Sequence, residues 1–189
     1  VTVALYQDHT SPKAQVLQVW PGLHEDGIFG LAIDLGSTTV AAHLTDLQTG
    51  AVVASSGVMN PQIRFGEDLM SRVSYAMMNS GGDQEMTAAV REAINALADD
   101  LAKQLGCSTA QLLEVVFVCN PVMHHLLLGI DPVELGQAPF ALATSDSLSL
   151  KAAALDLTAL NPAARCYILP CIAGHVGADA AAVALSEEP

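Results

Sequence analysis

The sequence predicts an α/β fold: one mixed sheet with helices on both faces, its elements in the order βββαβαβα. Three observations lead there. Residues 31–57 hold three short apolar runs separated by Gly36-Ser37-Thr38-Thr39 and by Gln48-Thr49-Gly50, the pattern of an antiparallel meander. Residues 83–105 carry Val90, Ile94, Leu97, Leu101 and Leu105 at helical spacing, a single apolar stripe. Val115-Val116-Phe117-Val118-Cys119 is apolar without alternation, as a buried strand is, and a turn and a helical run follow it, as in a parallel crossover.

The totals set the frame. A chain of 189 residues, 51% hydrophobic and 14% charged, can bury one substantial core. Seven basic against twenty acidic residues give a formal charge of −13, which weighs against nucleic acid or an anionic membrane as a partner. Cys107, Cys119, Cys166 and Cys171 lie far apart without a Cys-x-x-Cys pair, so they read as core thiols of a reducing compartment and not as a local zinc or iron-sulfur site. There is neither a signal peptide nor an unbroken apolar run of transmembrane length, and a cytoplasmic location is expected. The chain opens on Val1, and its fold should continue past Pro189, so it is expected to be a piece of a longer protein.

Taken in order, residues 2–6 and 15–20 read as short strands on either side of Asp8-His9-Thr10-Ser11-Pro12. Residues 1–29 are taken as a linker or the tail of a preceding domain, with Tyr6 and Trp20 as packing residues. Strands are expected at 31–35, 40–46 and 51–56. Asn60-Pro61 marks a turn, Gly66 is expected to start a helix whose positive end suits Glu67 and Asp68, and Met70, Val73 and Met77 recur as its core side until Gly81-Gly82. A second helix should run from Asp83, as its cap, to Leu105, with Gly106 as its stop. After the strand 115–119, Asn120-Pro121 turns the chain into a helix over 122–128 ended by Gly129. Its neighbours His124 and His125 point about 100° apart and are poorly placed to share an ion. Residues 130–162 form a long Pro-, Ser- and Asp-rich excursion with a short helix expected at 151–157. Residues 167–170 read as the last strand, and Gly174 and Gly177 lead into a helix from Ala178 to about Ser186.

The chemistry concentrates at Asp34-Leu35-Gly36-Ser37-Thr38-Thr39. Gly36 lets the backbone bend close to a ligand, amides and the hydroxyls of Ser37, Thr38 and Thr39 can donate to phosphate oxygens, and Asp34 can hold a hydrated Mg²⁺ against them. With no Gly-Lys-Ser/Thr sequence and no Lys or Arg between Lys13 and Arg64, a bound polyphosphate would depend on backbone donors and Mg²⁺. An ordinary hairpin with a polar turn is the plain alternative. Asn120 lies where a parallel strand ends at the cleft of an α/β fold. Asp179, in the first turn of the last helix, is either a catalytic carboxylate that orients an attacking hydroxyl or water, or a helix cap.

The stretch Gly30 to Gly50, together with Asn60-Pro61-Gln62-Ile63-Arg64-Phe65-Gly66-Glu67-Asp68 and Leu169-Pro170-Cys171-Ile172-Ala173-Gly174-His175-Val176-Gly177-Ala178-Asp179, resembles the reductive activators of corrinoid proteins. These are an iron-sulfur-carrying branch of the ATPase superfamily of actin, sugar kinases and the seventy-kilodalton heat-shock proteins. The resemblance implies that residues 30–189 are the first ribonuclease-H-like subdomain of an actin-like ATPase domain, whose second subdomain, with an Asp-Gly-Thr turn and an adenosine motif, lies beyond Pro189. It implies half a Mg·ATP site here, formed by Asp34, Gly36, Ser37, Thr38, Thr39, Asn120, Gly174 and Gly177, with Asp179 positioning water. This segment alone should be inactive and bind nucleotide weakly. The loop of Arg64 and Glu67 would face the interdomain cleft, or form a solvated charge pair. The full-length protein would be a homodimeric, ATP-hydrolysing activator that returns a corrinoid protein from Co(II) to Co(I) with electrons from an N-terminal [2Fe-2S] domain. A small-molecule kinase with Asp179 as base, and a nucleotide-gated interaction module using the 130–162 excursion, are the alternatives.

Overall fold

The computed structural model describes residues 1–7 and 12–187; the expected loop at Asp8-His9-Thr10-Ser11 lies outside them. Strands β1 (Thr2–Tyr6) and β2 (Gln15–Trp20) pair antiparallel as a separate two-stranded ribbon. The main sheet has six strands in the order β5-β4-β3-β6-β8-β7. Its first half is the expected meander of β3 (Phe29–Leu35), β4 (Thr39–Asp46) and β5 (Val52–Met59). The second turn of the meander closes as Asp46 Oδ1 accepts from the amides of Gln48 and Thr49, with Gly50 at φ 76°. β6 (Leu112–Cys119) runs parallel to β3, and β8 (Arg165–Ile168) parallel to β6.

Strand alternation decides which face is covered. Leu31, Ile33 and Leu35 of β3, Val115, Phe117 and Cys119 of β6, and Cys166 and Ile168 of β8 are buried in one core with Val90, Ile94, Leu97 and Leu101 of α2 (Gly82–Leu105) and with Val122, Met123 and Leu126 of α3 (Pro121–Leu128). Ala32 and Asp34 alternate to the other side, away from that core. α4 (Ala178–Ser186) begins at the end of β6 and sends no residue into that core. No helix among the described residues is long and apolar enough to cross a membrane.

Four expectations need correction. Gly66 does not start a helix: residues Pro61–Phe65 form a 3-10 turn that Gly66 closes, and α1 (Leu69–Met78) begins only after Asp68, whose carboxylate accepts from the Ser71 amide at 2.7 Å. Met70 and Met77 are not core; they are exposed, because α1 turns Arg72 and Val73 inward. Asp83 is not the cap of α2, which starts from Gly81 in the left-handed region at φ 82°. The excursion holds no helix at 151–157 but a 3-10 turn at Ala152–Leu155, preceded by the unexpected edge strand β7 (Leu148–Lys151), antiparallel to β8.

Candidate functional site

The turn Gly36–Thr39 joins β3 to β4, and its backbone hydrogen bonds can be fully accounted for on the carbonyl side. The Gly36 carbonyl accepts from Asn60 Nδ2 at 2.8 Å, Ser37 O from Arg72 Nη2, Thr38 O from the Asn60 amide at 2.8 Å and Thr39 O from the Gly36 amide at 3.0 Å. Because a trans peptide points its N–H opposite to its C=O, carbonyls tied inward turn the following amides outward. Among the described residues no group accepts from the amides of Ser37 or Thr38. The turn is thus a rigid concavity of unpaired donors flanked by the exposed hydroxyls of Thr38 and Thr39. Gly36 is required sterically, since a Cβ there would meet Thr39 O at 2.6 Å.

Asn60 and Arg72 hold this shape; the sequence marks Asn60 only as a turn residue and assigns Arg72 no role. Asn60 is fully buried, and its Oδ1 accepts from the Gln62 amide at 2.9 Å while its two N–H groups hold the turn. Arg72 is fully buried as well: Nε donates to Gly66 O at 2.9 Å and Nη1 approaches Gln62 Oε1 and Met123 Sδ, each at 3.4 Å. The signal in the sequence was an arginine on the same helical side as Leu69, Val73 and Ala76.

Asp34 stands at the mouth of the turn. Partial burial and then the neighbouring charge of Asp179 push its carboxyl above the usual carboxylate range. Two neighbouring carboxylates beside free phosphate donors suit a hydrated Mg²⁺ between them and phosphate, which would neutralise both. Asp179 lies in the first turn of α4 and is exposed; the N-cap position belongs to Gly177, so the plain capping role is not its own. Gly177 is packed against the end of β6, where a Cβ would come within 2.6 Å of Asn120 Cα and Cys119 O. Gly174 leaves equally little room: a Cβ there would collide with Phe140 O, and the His175 ring packs on Phe140 with centroids 4.1 Å apart. The 130–162 excursion therefore props the loop that delivers Asp179.

Asn120 follows the C-terminal end of β6, but its Oδ1 is engaged in capping α3, accepting from the Met123 amide at 3.0 Å. Arg64 and Glu67 are exposed; Arg64 lies 4.7 Å over the Phe65 ring, and neither bonds to the turn. His125 is used structurally: its Nε2 accepts from the Ala143 amide at 3.0 Å, so Nδ1 carries the proton and donates to Pro121 O at 2.9 Å. His124 is fully buried with both ring nitrogens unpartnered, and its pKa falls to about 4, through burial first and His125 second. Burial raises all four cysteine thiols, Cys166 to about 12, and no group of three or more His, Cys, Asp or Glu fit to hold a metal forms among the described residues.

Residues 29–188 match the family model described as the RACo middle region. The chain belongs to the RACo middle-region family. The curated corrinoid activation enzyme RamQ of Eubacterium limosum is 33% identical over 161 residues, which is 85% of this chain and 27% of that enzyme. The solved structure of a reductive activator for corrinoid, iron-sulfur protein superposes with a TM-score of 0.85 at 34% identity, over 91% of this chain and 27% of that one. The match bears out the expected α/β, actin-like ATPase fold and the resemblance to the corrinoid activators. This RACo middle-region chain spans about a quarter of the length of the relatives it matches.

Proposed function

We propose that this segment supplies the first half of a Mg·ATP site in a longer reductive activator that supports Co(II) to Co(I) reduction of a corrinoid protein in the cytoplasm. The observation that carries the reading is the turn Gly36–Thr39, with every carbonyl bound from behind and the Ser37 and Thr38 amides left open beside Asp34. A polyphosphate lying on those amides would satisfy them, and Mg²⁺ bound by Asp34 through water would neutralise the phosphate charge. Asp179 would hold the attacking water, accepting its proton in a hydrogen bond as it approaches the γ-phosphate. The second half of the cleft, after residue 189, would close on the nucleotide, and closure would couple hydrolysis to an otherwise unfavourable electron transfer. The names of the relatives support the corrinoid protein as partner. The four scattered, burial-raised cysteines do not suit an iron-sulfur cluster, so a [2Fe-2S] group would belong to another domain of the protein.

The test uses the complete protein, a chemical reductant and a Co(II) corrinoid protein, with Co(I) followed by its absorbance. Co(I) should accumulate only with Mg·ATP, and the Asp179→Ala protein should bind the nucleotide without supporting turnover. Equal reduction with and without ATP, or no Mg·ATP binding, would overturn the reading. ATP-dependent phosphorylation of a carbohydrate by the same protein would favour a kinase instead.

A further inference from the structure

Arg72 raises a question that its hydrogen bonds do not answer. A fully buried guanidinium ordinarily faces a carboxylate, since a buried charge without a partner is among the costliest groups in a fold. Every acceptor that Arg72 touches is neutral: the carbonyls of Ser37 and Gly66, the Gln62 amide oxygen and the Met123 sulfur. No carboxylate of the described residues lies within ion-pairing distance of it. Asp68, exposed at the cap of α1, is the acid that acts on it through space.

The bond to Ser37 gives the charge a direction. Ser37 C=O and Thr38 N–H belong to one peptide unit, which is trans, as is every described peptide bond except Ala138–Pro139. A guanidinium donating to that carbonyl draws electron density away from the amide nitrogen and makes the Thr38 N–H a stronger donor on the opposite, open side. We infer that Arg72 is a nucleotide-positioning residue, which fixes the Ser37–Thr38 peptide with its N–H outward and waits for the phosphate in the turn as its missing counter-anion. The inference rests on the proposed reading of the turn as a Mg·ATP site and adds the cation that the stretch between Lys13 and Arg64 does not provide.

The experiment is calorimetric titration of Mg·ATP into the complete protein, with steady-state hydrolysis measured alongside, for the wild type, Arg72→Gln, Arg72→Lys and Gln62→Glu. Arg72→Gln should weaken binding by roughly tenfold or more, the scale of one hydrogen bond to a charged group, and raise KM far more than it lowers kcat. Arg72→Lys, which keeps the charge and loses the fork, should recover part of that loss. Gln62→Glu retains Arg72 and sets a carboxylate beside it, so it should weaken Mg·ATP binding even if Arg72→Gln fails to fold; its melting temperature should fall modestly, because the 2.8 Å bond from Gln62 Nε2 to Met86 O is lost. Variants that melt earlier yet bind with wild-type affinity would reduce Arg72 to a structural strut and overturn the inference. Wild-type affinity in Gln62→Glu would overturn it equally. Absence of binding by the wild type would instead remove the proposed site, and this inference with it.

Discussion

Two arginines of this chain use the same fork for different ends. Arg91, on α2, donates from Nε at 3.1 Å and Nη2 at 2.9 Å to Leu127 O at the end of α3, and completes its charge with Asp156 at 2.7 Å. Arg72 donates to loop carbonyls in the same manner and has no such acid. Around Arg91 the polar groups are spent on one another: Thr87 Oγ1 donates to Leu126 O, and Asn95 bridges Asp156 O and the Ala159 amide. A cavity of about 620 Å³ opens there, yet the side chains of Arg91, Thr87 and Asn95 that line it are already engaged. Around Arg72 the carbonyls are spent and two amides remain open. Open donors beside a buried charge without an acid call for a partner, whereas engaged polar groups around a cavity do not.

The largest expected effect lies on the open side of that contrast. Asp179→Ala in the complete protein should lower kcat for ATP hydrolysis by roughly a thousandfold while Mg·ATP affinity stays within a few-fold, since positioning a proton acceptor acts mainly in the transition state. Comparable losses in affinity and kcat would assign Asp179 to binding instead.

His124, which bonds to nothing in the turn, should respond in stability alone. His124 binds a proton near pH 6.5 when unfolded and only near 4 when folded, so stability is full above 6.5 and declines as pH falls toward 4, by about 3 kcal/mol in all. Burial lowers His125 as well, in the same sense. Denaturant titrations across that range should show the decline, and His124→Leu should flatten it; an unchanged slope would show that His124 does not titrate this way. Smaller again, Arg91→Ala should cost about 2 kcal/mol by leaving Leu127 O without its donors, with Mg·ATP affinity untouched. A matching loss of affinity would erase the distinction between the two arginines.

The sequence made visible what is local. The turn at Gly36-Ser37-Thr38-Thr39, the stops at Gly106 and Gly129 and the strand over 31–35 each depend on neighbours within a few positions, and each stands as expected. β7 escaped because Leu-Ser-Leu-Lys is too short for periodicity to show and owes its shape to pairing with β8. The inward face of α1 was misread because Arg72 stands in the place of an apolar residue, which made the exposed methionines look like the core side. The contact that organises the site, Arg72 to Ser37, spans 35 positions and has no signature in either neighbourhood. Asn60 holding Gly36 across 24 positions was hidden for the same reason.

Hydrogen exchange of the complete protein with and without Mg·ATP reads both arginine corners in one experiment. The open amides of Ser37 and Thr38 should become protected on nucleotide binding, while peptides covering the Arg91 corner, from Gln84 to Asn95, keep their rates. Saturation with Mg·ATP that leaves residues 34–39 exchanging as before would contradict the assignment of that turn to the phosphates.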